Sequence, residues 1–303
     1  MSNMKKLMMT AAAGDGLITD VEDVFGVQGF YGDQTVEKNG LAENLPTLGS
    51  TTEFSYVTYG PGDYRDSGYL SSAVSGCDSL GNIYVATRID RTNPGTDTGV
   101  SIVKYSPNFK EVLWQHTIQD SSYPNEAVNP YNFMVSENDN LYLVTRGALN
   151  GSYPQVAVLT RINTTTGAVI WSKGYSQGNS NVGWNISEDS SGTYVYLAHY
   201  AYDGNSAQPM ITKFAVSSGA PQWDKKYYWN AYDTEEAYGI KVLGSYIYLV
   251  GYSRPSSRCS FIVKVDTDGN LQNGHRWSWS SSQDSYAFSI TTDGTYLYVT
   301  GGG

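Results

Sequence analysis

The sequence predicts an all-β protein, a β-propeller of four-stranded antiparallel blades preceded by an extended N-terminal arm. Three observations carry this: the composition, a repeat of 50 to 58 residues, and strand-like alternation inside each repeat. The chain has 26 Tyr, 7 Trp and 32 Gly among 303 residues, with 16% charged and 40% hydrophobic residues. Aromatic residues suit a pleated, half-buried surface and glycine marks turns, so this usage favours strands over helices. A chain of this length with this apolar content can bury a sizeable core.

The first element of the repeat is a short alternating run, SSAVS at 71, YNFMVS at 131, GWNIS at 183, YGIKV at 238 and YAFSI at 286. Each is followed by turn residues such as DSLG, SEND, DSSG or TDG. The second element is a tyrosine strand, with Tyr84, Tyr142, Tyr196, Tyr248 and Tyr298 at spacings of 58, 54, 52 and 50. The third places Lys104, Arg161, Lys213 and Lys264 between apolar neighbours, and the fourth carries Trp114, Trp171, Trp223 and Trp277. Between the third and fourth lie NTTTG, SSG and DTDGN. Four alternating strands per repeat at this period are the signature of propeller blades, here four complete ones and the first two strands of another.

The large aromatics read as packing between blades. The repeated bases read as stems along the sheet with their charge paired or at a rim, with a ring of bases around a central channel as the alternative. FSYVTYG at 54 reads as a fourth-type strand without a blade of its own. Residues 51–303 are therefore assigned to the propeller, read as incomplete at its C-terminus, and residues 1–50 to the arm.

Within the arm, MKKLMMTAAAG leads into VEDVFGVQGFYGDQTVEKNGLA. With Asp23, Val24, Phe25, Tyr31, Gly32, Thr35, Asn39 and Gly40, this stretch resembles the N-terminal region of structural proteins of marine tailed bacteriophages. The resemblance implies a tail fibre or tail-associated appendage of the virion. It would be anchored to other virion proteins through residues such as Leu7, Met8, Met9, Val24 and Phe25, and would form a homo-oligomer within the assembly. The same start, with Lys5, Lys6 and a short apolar run, also fits a secretory signal, which would make the protein a secreted or periplasmic lectin or scaffold.

A net charge of -10 argues against a nucleic-acid partner, because phosphate binding relies on Lys and Arg. No apolar run reaches the roughly 18 residues of a membrane span. Cys77 and Cys259 form no metal-ligand pattern and read as free thiols. His116, His199 and His275 stand in different repeats, and His199 and His275 read as rim or hydrogen-bonded residues. Asp266, Asp268 and Asn270 in DTDGN suggest a calcium loop at first sight, but the later positions of such a loop are missing, which favours a hairpin turn. No cofactor or metal is expected.

Acidic residues gather before the first strands, at Asp63, Asp66, Glu126, Asp233, Glu235, Glu236 and Asp284. With Tyr123, Tyr131, Tyr232 and Tyr286 they suggest a rim where aromatics stack on sugar faces and carboxylates accept hydroxyl protons. Such a rim would bind a host-surface glycan or receptor. Two of the carboxylates could also serve a glycan-cleaving reaction. With no catalytic motif in the chain, the expectation is a protein that is not an enzyme.

Overall fold

The computed structural model describes residues 73–302, apart from 91–97, 119–128, 149–154, 176–179, 203, 205, 229–233, 255–257 and 278–283. The chain divides into two units, Met1–Pro61 and Gly62–Gly303, and every described residue lies in the second. The anchoring residues expected at Leu7, Met8, Met9, Val24 and Phe25, and the strand FSYVTYG, lie outside the described residues.

Blade 1 comprises β1 (Ala73–Cys77), β2 (Ile83–Asp90), β3 (Thr98–Tyr105) and β4 (Val112–Ile118). Blade 2 comprises β5 (Asn129–Val135), β6 (Leu141–Ala148), β7 (Gln155–Ile162) and β8 (Val169–Tyr175). Blade 3 is β9 (Ser180–Glu188), β10 (Tyr194–Tyr202), β11 (Ala207–Ala215) and β12 (Pro221–Lys226). Blade 4 is β13 (Thr234–Leu243), β14 (Tyr246–Arg254), β15 (Cys259–Asp266) and β16 (Leu271–Trp277). A final pair, β17 (Tyr286–Thr292) and β18 (Leu297–Gly302), begins blade 5. Within each blade consecutive strands pair antiparallel, and a single parallel bridge from Gln155 to Ser180 links blades 2 and 3. The predicted strand order is therefore observed, and the fold is of the propeller type.

The first strand of each blade packs against the first strand of the next, and also against the second and third strands of the blade before it. The apolar clusters accordingly lie between blades. Tyr84 and Ile102 of blade 1 join Phe133 and Leu143 of blade 2. Leu159 and Trp171 of blade 2 join Ile186 and Phe214 of blade 3, and Tyr196 and Ile211 of blade 3 join Ile240 and Phe261 of blade 4. A blade alone leaves these faces wet, so its stability comes largely from its neighbours, as in other stacked repeats. The fourth strand β16 is mostly exposed, and β12 combines exposed and half-buried positions.

The repeated Lys or Arg and the repeated Trp act as one device. Lys104 Nζ and Trp114 Nε1 both donate to the Thr164 carbonyl of blade 2, at 3.1 and 3.0 Å. Arg161 and Trp171 donate to the Val216 carbonyl of blade 3, at 3.0 and 2.8 Å. Lys213 and Trp223 donate to the Thr267 carbonyl of blade 4, at 3.1 and 3.2 Å. Each indole also lies against the tyrosine of its own blade, at Tyr84, Tyr142 and Tyr196. The bases are thus held at blade boundaries rather than in a ring around a channel. A guanidinium or ammonium can stay this buried because it is hydrogen-bonded, and Lys104 also pairs with Asp78 at 3.3 Å.

Trp277 does not belong to this series. The residue opposite Lys264 is Asn273, and Trp277 pairs with Ser260 further along the strand. DTDGN forms the hairpin turn between β15 and β16, with Asp266 Oδ1 accepting the amides of Asp268 and Asn270 at 3.0 and 2.8 Å. His199 is fully buried on β10, away from any rim. Its Nε2 lies 2.8 Å from Thr212 Oγ1, and its ring meets Tyr175 edge-on.

Candidate functional site

A register shift recurs in the first strands. In β5 it falls between Pro130 and Asn132, in β13 between Ala237 and Gly239, and in β17 between Ala287 and Ser289. In β9 the same shift appears opposite Ala198 and His199, where Asn185 and Gly183 are the partners. Each is a one-residue β-bulge, which leaves the extra residue unpaired and re-aims its side chain. The four bulged residues are Tyr131, Trp184, Tyr238 and Phe288, all aromatic.

The rings of three of them adjoin one another across blade boundaries. Trp184 and Tyr238 meet edge-to-face with centroids 5.0 Å apart, and Tyr238 and Phe288 are 5.6 Å apart. Tyr286 stacks parallel to Phe288, and Tyr252 lies between Tyr238 and Tyr286. Trp184 and Tyr238 are half-buried, while Phe288 is 45% exposed.

Glu236 is set into this aromatic arc. Tyr252 donates to its Oε1 at 2.9 Å and Tyr238 to its Oε2 at 3.0 Å. Burial raises its pKa above the usual carboxylate value, while the two phenols and the nearby Arg258 pull the other way. Burial likewise raises the pKa of the Tyr238 and Tyr252 hydroxyls, with Glu236 adding to the effect.

Arg258 forms the other polar element. Its guanidinium pairs with Asp284 Oδ2 at 3.0 Å, its backbone N–H donates to Asp284 Oδ1 at 2.9 Å, and it lies over the rings of Tyr252 and Tyr286. The Arg258 amide, then the guanidinium, hold Asp284 below the ordinary carboxylate range.

Of the predicted rim, the structure brings together Glu236, Asp284 and Tyr286. Asp233, Tyr123 and Tyr232 lie outside the described residues. Glu235 is removed from the site: it is fully buried on the opposite face of the sheet, where Ser253 Oγ donates to it at 2.6 Å. Nor do the acids repeat in register, since the slot of Glu236 holds Val182 in β9 and Tyr286 in β17. Sequence reasoning missed Trp184, Tyr238, Tyr252, Arg258 and Phe288 as partners. Aligning VGWNI, AYGI and AFSI would have placed three of the bulged aromatics in one column.

No protein family and no curated protein matches the chain. Solved structures match most of its length. An ulvan lyase, a polysaccharide lyase, shares 8% identity at a TM-score of 0.49 over 76% of this chain and 66% of its own. A thermostable family-43 glycoside hydrolase shares 13% at 0.43 over 75% of this chain and 81% of its own. A europium-containing methanol dehydrogenase shares 14% at 0.44 over 73% of this chain. This chain spans 43% of that dehydrogenase's length. Such distant likenesses concern the fold alone. The expectation of a protein that is not an enzyme is corrected here, since a lyase, a hydrolase and a dehydrogenase are among the similar structures.

Proposed function

We propose that this protein is a propeller scaffold that binds a glycan at the end of the blades carrying Glu236 and the bulged aromatics. The observation behind this reading is the recurrence of an aromatic residue at the bulge of successive first strands, next to a half-buried carboxylate. Aromatic faces offer an apolar seat for the C–H faces of a sugar ring. The Glu236 oxygens each accept one phenol and retain lone pairs for ligand hydroxyls.

The setting proposed is a phage virion, with residues 1–50 attached to other virion proteins and the propeller presented to a host-surface glycan. The resemblance of the N-terminal stretch to tailed-phage structural proteins supports that setting. Two measurements test the proposal together. Mass spectrometry of purified particles should find the chain with its N-terminal peptide intact. Binding to host polysaccharide should be saturable and should weaken about tenfold in Tyr286→Ala, the scale of one lost aromatic contact. Absence from particles removes the virion setting, and absence of polysaccharide binding removes the glycan reading.

A further inference from the structure

We infer that the Tyr238–Phe288 arc with Glu236 is a subsite for a cationic group, and that the preferred glycan carries a free ammonium, as a hexosamine does. The inference rests on the glycan-binding reading and narrows it.

Charge is the first argument. Both Glu236 oxygens are met by phenols, which carry no charge, while the neighbouring guanidinium of Arg258 is engaged by Asp284. Among the described residues two carboxyl groups therefore share one base, so a cation entering beside Glu236 would supply the counter-charge that Arg258, engaged by Asp284, supplies only in part. Aromatic ring faces carry negative potential as well, which attracts a cation and repels uronate or sulfate groups. An ammonium is the ligand group that would satisfy both features.

The second argument comes from how this protein treats its other tyrosines. Lys213 Nζ sits 3.9 Å from the ring centre of Tyr194, and Lys264 Nζ 3.7 Å from that of Tyr246. Arg258 covers Tyr252 and Tyr286 in the same way. Among the described residues, no lysine or arginine lies over Tyr238 or Phe288. With no base over them among the described residues, these rings are placed to receive a cation from a ligand.

The test is calorimetric titration of the full chain with short glucosamine oligomers, short N-acetylglucosamine oligomers and tetramethylammonium, at a pH where the amine is protonated. The expected result is about tenfold tighter binding of the glucosamine oligomer than of its acetylated counterpart. Glu236→Gln should abolish that preference, bringing the affinities for the two oligomers within about twofold of each other. Should Glu236→Gln fail to fold, Phe288→Leu serves, and it should weaken the cationic oligomer more than the acetylated one. Equal affinity for the two oligomers in the unaltered protein overturns the ammonium subsite and leaves glycan binding standing. Binding of tetramethylammonium without either oligomer overturns the glycan reading and retains the cation subsite. No binding of any of the three overturns both.

Discussion

At the scale of single residues, the bulges place a severe demand on the strand beside them. A Cβ added to Gly251 would sit 1.8 Å from the backbone oxygen of Glu236, and one added to Gly301 would sit 1.8 Å from that of Tyr286. Both glycines occupy the same position in successive blades, opposite Ala237 and Ala287. The obstacle is backbone, so a side chain cannot be accommodated by a change of rotamer. Gly251→Ala is expected to lower stability by about 3 kcal/mol, the upper end of overpacking effects. Gly302→Ala meets only a side-chain atom at 3.6 Å and should change stability by less than about 0.5 kcal/mol. Urea denaturation of the two variants separates these outcomes, and similar midpoints would show that the close approach carries no energetic weight. Because Gly251 faces the carbonyl of Glu236, a substitution there would also displace the carboxylate of the proposed binding site.

At the scale of elements, stability depends on the donor pairs that tie each blade to the next. Trp171 is buried, lies tilted against Tyr142 and shares the Val216 carbonyl with Arg161. Trp171→Ala should cost about 3 to 5 kcal/mol, as for other buried aromatics, and Trp171→Phe about 1 kcal/mol for the lost hydrogen bond. Trp277→Ala, at a 38% exposed residue outside the series, should cost less than about 1 kcal/mol. Combining Trp171→Phe with Arg161→Met should give a non-additive loss, because the two donors share one acceptor. Additive losses in that cycle would mean that the donors act independently. The strands themselves were legible because alternation and turn residues have a fixed period. Trp277 was misplaced because residue type was followed instead of register, with Asn273 holding the indole position in blade 4. Glu235 and Glu236 were read together although adjacent residues in a strand point to opposite faces, and only one could join the site. Trp184, Tyr238 and Phe288 escaped notice because a bulge interrupts the alternation by which strands are recognised.

For the whole molecule, these local environments combine into a pH profile with a definite shape. His199 is fully buried, and desolvation lowers its pKa from 6.5 to about 3. Above about pH 6.5 the imidazole is neutral in both folded and unfolded chains and adds no pH dependence. Below that value the unfolded chain takes up a proton that the folded one refuses, so stability falls by about 1.4 kcal/mol per pH unit until the folded group also titrates. The lowered carboxyl of Asp78, hydrogen-bonded to Asn82, Tyr84 and Lys104, acts in the same direction at lower pH, since its contribution is present above 3.8 and is lost as it protonates. Glu236 opposes them: its pKa is raised, so its protonated form is favoured by folding and that contribution disappears as pH rises through its folded value. Between about pH 6.5 and 4.5 the buried imidazole by itself should remove about 2 to 3 kcal/mol, with Glu236 acting against it. His199→Gln can keep a hydrogen bond to Thr212 but does not titrate, so it should hold its stability across this interval whatever its cost at neutral pH. Chemical denaturation of both proteins across that range decides the point, and parallel profiles would show that the buried imidazole is not what makes the packed blades acid-sensitive.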